Sequence, residues 1–244
     1  MTLSTIIILL VLVGACLGYF FGCLMWSIII GKIFFKKDPR DFNSKNAGAT
    51  NSSRIYGKKI GLLILLLDIL KGLLPTIIMW LIAKYGINIS QTYITSEFNP
   101  YSLCYIAGLF GIFGHCFPLF FKFKGGKGVA TFGAFLISIM PFAALWQLLI
   151  MIGIVYFFHY VSLASLLCSV MSWVWFLVPG LNYSFVLNSN IKDLLIINVY
   201  GSLWLLFVLA LVFLATILIW IKHHKNIKNL LLGTERKFYF KTKK

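Results

Sequence analysis

The sequence predicts an all-α integral membrane protein with seven transmembrane helices, its amino terminus outside and its carboxyl terminus in the cytoplasm. Three observations carry this expectation. Hydrophobic residues make up 60% of the 244 and charged residues only 11%. Apolar runs recur that are long enough for a hydrocarbon core of roughly 30 Å, which takes ~20 helical residues. The basic residues between those runs are unevenly shared, and that asymmetry sets orientation.

The runs lie at about 3 to 31, 60 to 83, 101 to 121, 129 to 158, 161 to 179 and 195 to 221. The first has no basic residue before Lys32, so it lacks the charged start of a secretory signal and is expected to remain as a span. Within it Gly14, Gly18 and Gly22 recur every four residues and form a smooth face for another helix. Eight basic residues fall between Lys32 and Lys59, three between Lys122 and Lys127, and eight from Lys222 onward. The positive-inside rule places these three segments in the cytoplasm and the loops around 84–100 and 180–196 outside. If 129–158 were one helix, parity would put the eight-charge tail outside, so this run is read as two short spans of ~14 residues each, broken near Pro141.

The formal net charge of +16 is compatible with cytoplasmic loops, anionic headgroups or an anionic substrate. The five cysteines sit in or beside apolar runs without metal-ligand spacing, and are expected as small buried hydrophobes. Adjacent His223 and His224 point apart on a helix and have no carboxylate beside them, so no metal site is expected, nor any organic cofactor. Asp68 and Lys71, three apart inside the second span, have the spacing of a buried structural or site-supporting pair.

Every polar-rich segment falls on the predicted cytoplasmic side. "NSKNAGATNSSR", Asn43 to Arg54, offers hydroxyls, amides, Gly48 as a bend and Arg54 for a phosphate; the same composition also suits a solvated loop. "FKFKGGKGVAT", Phe121 to Thr131, places Lys124 and Lys127 among glycines ahead of a helix start, which fits an anion cradle or a basic turn between spans. It is not a nucleotide P-loop, because Lys127 is followed by Gly128 rather than Ser or Thr. "HYVSLASL", His159 to Leu166, brings Ser162 and Ser165 to that side. "KHHKNIKNLLLGTE", Lys222 to Glu235, puts His223 and Asn226 on one helix face, and reads either as a proton-accepting site or as a basic membrane anchor.

Together "SKNAGATNSSR", "GHCFPLFFKFKGGKGVAT", "YVSLASL" and "HHKNIKNLLLGTE" resemble, in order and over nearly the whole chain, the motifs of the bacterial acyl-phosphate:glycerol-3-phosphate acyltransferase family. The resemblance implies a seven-span enzyme of the bacterial inner membrane with its active site on the cytoplasmic face. It implies transfer of a fatty acyl group from acyl phosphate to the sn-1 hydroxyl of glycerol 3-phosphate, giving lysophosphatidic acid and phosphate, the first step of phospholipid synthesis. Carried over by motif, Ser44, Asn46, Thr50, Asn51 and Arg54 belong to the first site segment, and His115, Lys124, Gly125, Gly126, Lys127 and Thr131 to the second. Ser162 comes from the third, and His223 and Asn226 from the last. Ser44, Arg54, Lys127 and His223 take the catalytic roles, and the others bind substrate.

The family often has Gly-Ser-Gly-Asn where this chain reads Asn43-Ser44-Lys45-Asn46, which leaves the local backbone shape open, and His224 replaces a common arginine. No histidine has aspartate five residues on, so the His-x4-Asp dyad of acyl-CoA-dependent enzymes is unavailable. One membrane-embedded catalytic domain over 1–244 is expected, with motif segments at about 32–59, 118–131, 159–165 and 222–235. It is expected to work as a monomer among membrane lipids, without nucleic acid. The alternative from another class is a small organic-anion transporter, which would show midplane charges and an inverted repeat.

Overall fold

In the computed structural model, residues 2–86, 100–177 and 202–239 are described, and among them every regular element is helical. In chain order these are α1 (Leu3–Gly22), α2 (Trp26–Phe35), α3 (Ala49–Tyr56), α4 (Lys58–Leu81), α5 (Tyr105–Cys116), α6 (Val129–Ile139), α7 (Pro141–Phe158), α8 (Val161–Leu177), α9 (Ser202–Lys222) and α10 (His224–Leu231). Four stretches, Leu3–Phe35, Lys58–Gly86, Ser102–Phe121 and Pro141–Phe158, are long and apolar enough to cross a membrane, and α9 with α10, bent by 60°, makes a fifth. The two sparse loops expected outside lie largely beyond the described residues.

The first apolar run is two helices and not one. The backbone breaks at Cys23–Met25, which leaves the Leu24 carbonyl outside helical pairing, and the Lys71 ammonium on α4 donates to it at 2.6 Å. The expected pair is present: Lys71 Nζ lies 3.0 Å from Asp68 Oδ1, and both side chains are buried. A buried charge needs its partner, so this contact pins the α1–α2 elbow to α4.

The glycine ladder packs α1 on α5. A methyl on Gly18 would collide with the carbonyl of Ala107, and one on Gly22 with that of Gly111; Gly114 on α5 returns the favour against Tyr19. The end of α5 is tied again by the Tyr19 hydroxyl donating to the Phe117 carbonyl at 2.8 Å, and by Lys222 Nζ donating to the Cys116 carbonyl at 2.9 Å. Of the cysteines, Cys23, Cys104, Cys116 and Cys168 are buried as expected, but Cys16 is exposed on the outer face of α1.

The 129–158 run breaks where expected. Met140 is extended (φ −146°, ψ 77°), as a residue before proline prefers, and Pro141 opens α7 where its missing N–H is harmless. The halves are unequal, however, with 11 residues in α6 and 18 in α7 rather than two similar short pieces. At 1.5 Å per residue α6 reaches only about 16 Å. Buried polar ties hold the second half: Gln147 donates to the Cys168 carbonyl between α7 and α8, while Trp173 and Trp220 donate to Thr216 and Ser169 across α8 and α9.

Replacing Gly18 with valine is expected to lower thermal stability by about 1–3 kcal/mol, the usual cost of overpacking. Gly153→Ala, where a Cβ meets nothing within 4 Å, should leave stability equal or slightly higher. Thermal unfolding of detergent-purified protein reads both.

Candidate active site

The segment before α3 is wound around one side chain. Asn51 donates from Nδ2 to the carbonyls of Pro39, Phe42 and Asn46 at 2.8, 3.2 and 3.0 Å, and its Oδ1 accepts from the Ser44 amide at 3.2 Å. Its amide is therefore fully committed to backbone. Asn43 (φ 51°) and Lys45 (φ 53°) both adopt left-handed backbone. Those are the two positions where the family that the motifs resemble often has glycine, so the turn keeps a glycine-type shape with an asparagine, which tolerates it, and a lysine, which tolerates it less.

Arg40, unremarked in the sequence, braces this segment against the glycine loop. Its guanidinium pairs with Asp38 (Nη2 to Oδ2 2.7 Å) and donates from Nη1 to the carbonyls of Phe121 and Lys124 at 3.0 and 3.2 Å. Lys122, Phe123 and Gly128 have positive φ (58°, 56° and 82°), and this curls the loop back on α5. Its Gly126 amide donates to the His115 carbonyl at 3.0 Å.

A chain of hydrogen bonds joins three of the motif segments. Lys127 Nζ donates to Asn226 Oδ1 at 2.6 Å, Asn226 Nδ2 donates to Glu235 Oε1 at 2.7 Å, and Ser162 Oγ donates to the same oxygen at 2.8 Å. The tail beyond continues across the mouth: Arg54 Nη2 donates to the Lys237 carbonyl at 3.4 Å, the Phe238 amide to the His159 carbonyl at 2.7 Å, and Tyr239 packs on the His159 ring at 4.6 Å.

These segments enclose a cleft of about 1080 Å³. Ser44, Asn46, Thr50, Asn51, Arg54, His115, Gly125, Lys127, Ser162, His223 and Asn226 all line it, so eleven of the sequence-predicted residues converge on one cavity. Three do not. Lys124 is exposed on the outer side of the loop, Gly126 lies beneath it against the His115 ring, and Thr131 is buried with its hydroxyl donating to the Gly128 carbonyl at 2.9 Å. Below the polar mouth the cavity runs between α4, α6, α7 and α8 along apolar residues including Leu65, Ile69, Leu136, Leu145, Leu148 and Met151.

Two helix starts face the cleft without a side-chain cap: α3 behind Gly48 and α6 behind Gly128. Their first-turn amides carry partial positive charge. Burial pushes the Lys127 ammonium down to about 8; Glu235 resists this, and Arg54 and Lys222 add to it. Burial, reinforced by Lys127, holds His223 at about 4, so its ring is neutral at ordinary pH. Its Nδ1 lies 2.8 Å from the Ile219 carbonyl, which only accepts, so the proton sits on Nδ1 and Nε2 is the acceptor. No group of three or more His, Cys, Asp or Glu suited to a metal occurs among the described residues.

Glu235 and Arg40 are the residues that sequence reasoning missed. Glu235 had one signal, as the only acid in the basic tail after Lys222.

An all-helical, multi-pass membrane protein with a polar, cationic cleft over an apolar arm is the class that fold and site define. Residues 12–233 match the family model described as glycerol-3-phosphate acyltransferase. Among similar proteins, the glycerol-3-phosphate acyltransferase of Ureaplasma urealyticum serovar 10 is 38% identical over 97% of this chain and 94% of its own. That of Fusobacterium nucleatum is 36% identical over 92% and 96%. A crystal structure of PlsY (YgiH), an integral membrane glycerol 3-phosphate acyltransferase in its glycerol 3-phosphate form, is 31% identical, with a TM-score of 0.72 over 94% of this chain and 96% of that one. The lysophosphatidic acid form of PlsY gives 30% and 0.70 over 94% and 95%. The chain belongs to the glycerol-3-phosphate acyltransferase family and is an acyltransferase, which sets the anion-transporter alternative aside.

Two outcomes test the architecture of the site. Lys45→Gly should raise stability by about 1 kcal/mol by relieving left-handed backbone. Glu235→Ala should remove about 1–3 kcal/mol through its two lost hydrogen bonds, read as a lower unfolding temperature.

Proposed function

We propose that this protein transfers a fatty acyl group from acyl phosphate to the sn-1 hydroxyl of glycerol 3-phosphate, releasing lysophosphatidic acid and phosphate. The observation that carries the reading is the union in one cleft of Arg54, Lys127 and two uncapped helix starts over an apolar arm. Such a site holds two phosphates at its mouth and an acyl chain beneath.

Acyl phosphate is a mixed anhydride with a good leaving group, so approximation and charge supply most of the rate and no covalent enzyme intermediate is required. Arg54, Lys127 and the amides at the starts of α3 and α6 hold the phosphates and stabilise charge developing on the acyl oxygen. Ser44, Asn46, Thr50, Gly125, Ser162 and Asn226 complete the polar wall. Thr131, Gly126 and Lys124 act from outside it, and Asn51, although it lines the cleft, acts by holding the backbone of the segment before α3. His223 accepts a hydrogen bond from the sn-1 hydroxyl at Nε2 and orients it. Its low pKa is far from the near-neutral value that favours a base, so a phosphate oxygen of the departing group is the better final acceptor.

The domain is single and monomeric, in the bacterial inner membrane, with the cleft facing the cytoplasm. Seven spans follow with the amino terminus outside: α1 with α2, α4, α5, α6, α7, α8 and α9. The basic segments all lie at the cleft end, and Lys127 before α6 and Ser162 after α7 meet through Asn226 and Glu235, which supports an out-and-back path for α6 and α7.

Purified protein incubated with acyl phosphate and labelled glycerol 3-phosphate is expected to form lysophosphatidic acid; no product would overturn the reading. His223→Gln should raise the KM for glycerol 3-phosphate and keep turnover within about tenfold, whereas a 10²–10⁴-fold fall at saturation would make His223 the base. Lys127 is charged below about 8 and neutral above it, so substrate KM should climb as pH rises through 8. Lys127→Arg should remove that inflection.

A further inference from the structure

His115 and Asp68 line the cleft wall but sit under the glycine loop and not beside its open face. His115 is 3% exposed, its carbonyl holds the Gly126 amide, and a methyl on Gly126 would fall on ring atom Nε2. The other ring nitrogen, Nδ1, is 3.8 Å from Asp68 Oδ1 and has no hydrogen-bond partner of its own among the described residues. Asp68 in turn is fixed by Lys71 at 3.0 Å, and Lys71 by the Leu24 carbonyl in the α1–α2 elbow. The contacts thus run in one line from the elbow through α4 and the end of α5 to the loop that carries Lys127.

Nothing in packing alone requires charged groups here. An apolar floor would support the loop at lower desolvation cost, because buried ion pairs are seldom better than hydrophobic substitutes. What a charged floor adds is orientation. A carboxylate facing Nδ1 selects one ring direction, and the ring's far edge then sets the height of Gly126 and with it the spacing of Gly125, Lys127 and Gly128 along the cleft.

We propose that Asp68 and His115 are positioning residues: Asp68 orients the His115 ring as the floor beneath Gly126, and so fixes the glycine loop for phosphate. This rests on reading that loop as a phosphate holder, and it moves His115 from substrate contact to support.

Kinetics of single and double variants test it. Asp68→Asn should raise the KM of one phosphate substrate by about tenfold or more with turnover within about threefold. Gly126→Ala and His115→Ala should each raise the same KM. Combined, they should recover at least part of the loss, because the new methyl occupies the space the ring vacates. A double variant as poor as the product of the two singles would overturn the proposal, as would Asp68→Asn with wild-type KM values or with a fall confined to turnover. Where Asp68→Asn does not fold, the His115 and Gly126 pair decides alone. Thermal stabilisation by inorganic phosphate and by glycerol 3-phosphate separates the two readings. If neither stabilises the wild type, the phosphate-loop reading fails and this proposal with it. If they stabilise wild type and Asp68→Asn equally, only the positioning role fails.

Discussion

Lys127 carries a positive charge into a cleft where it is largely buried and without a carboxylate in contact. Its ammonium bonds the neutral Asn226 amide, and Glu235 stands one hydrogen bond further along. Among the described residues no acidic group lies within 4 Å of it, and burial accordingly drags its pKa down to about 8. A direct salt bridge would relieve that cost but would also occupy the site. By holding the counter-charge at one remove, the chain keeps Lys127 oriented while leaving its field for an incoming anion. Arg54 is in a similar position, bonded only weakly to a backbone carbonyl at 3.4 Å. The cleft is thus uncompensated by design of its contacts, and the two uncapped helix starts act in the same direction.

That constraint explains where rigidity is spent. An uncompensated cation does not hold its own loop in place, so other contacts must. The loop hangs from α5 through the Gly126–His115 bond and is clamped from the far side by Arg40, whose own charge is fully matched by Asp38. The end of α5 is in turn fixed by α1 and by Lys222, which donates to Cys116 and lies over the Phe117 ring at 4.5 Å. Glycine contacts along α1 and α5 matter for this reason. Close backbone approach leaves little room for α5 to slide, and any slide would move His115 and the loop together.

Long-range pattern was legible in the sequence, and local direction was not. Hydropathy marked the long apolar helices among the described residues, and charge parity required a break near Pro141 that the backbone makes at Met140. Eleven candidate residues meet in one cleft because the motifs all sit at the ends of helices on the basic side. Lys124 and Lys127 could not be separated, since in a loop no periodicity tells inward from outward; the turn is set by positive φ at Lys122, Phe123 and Gly128. Asn51 read as a ligand because an amide looks alike whether it faces a substrate or three carbonyls. Arg40 and Glu235 act across 81 and 73 residues of sequence, and single-chain pattern carries no record of such pairings.

The short α6 follows from the same division of labour. A longer helix would carry the break after it further from the cleft mouth, and the wall beside the cleft would be continuous. With only 11 residues, α6 is about 16 Å long, and Met140–Pro141 turns the chain beside the apolar arm. Leu136, Ile137 and Pro141 on one side and Leu145, Leu148 and Met151 on the other then face a common space. On the proposed reading, an acyl chain anchored by its phosphate at Lys127 has its carbonyl at the boundary between charged mouth and apolar arm. A hydroxyl entering through the polar mouth would then meet the carbonyl there, so on this reading the position of the α6 start, and not the depth of the bundle, decides where the chemistry takes place.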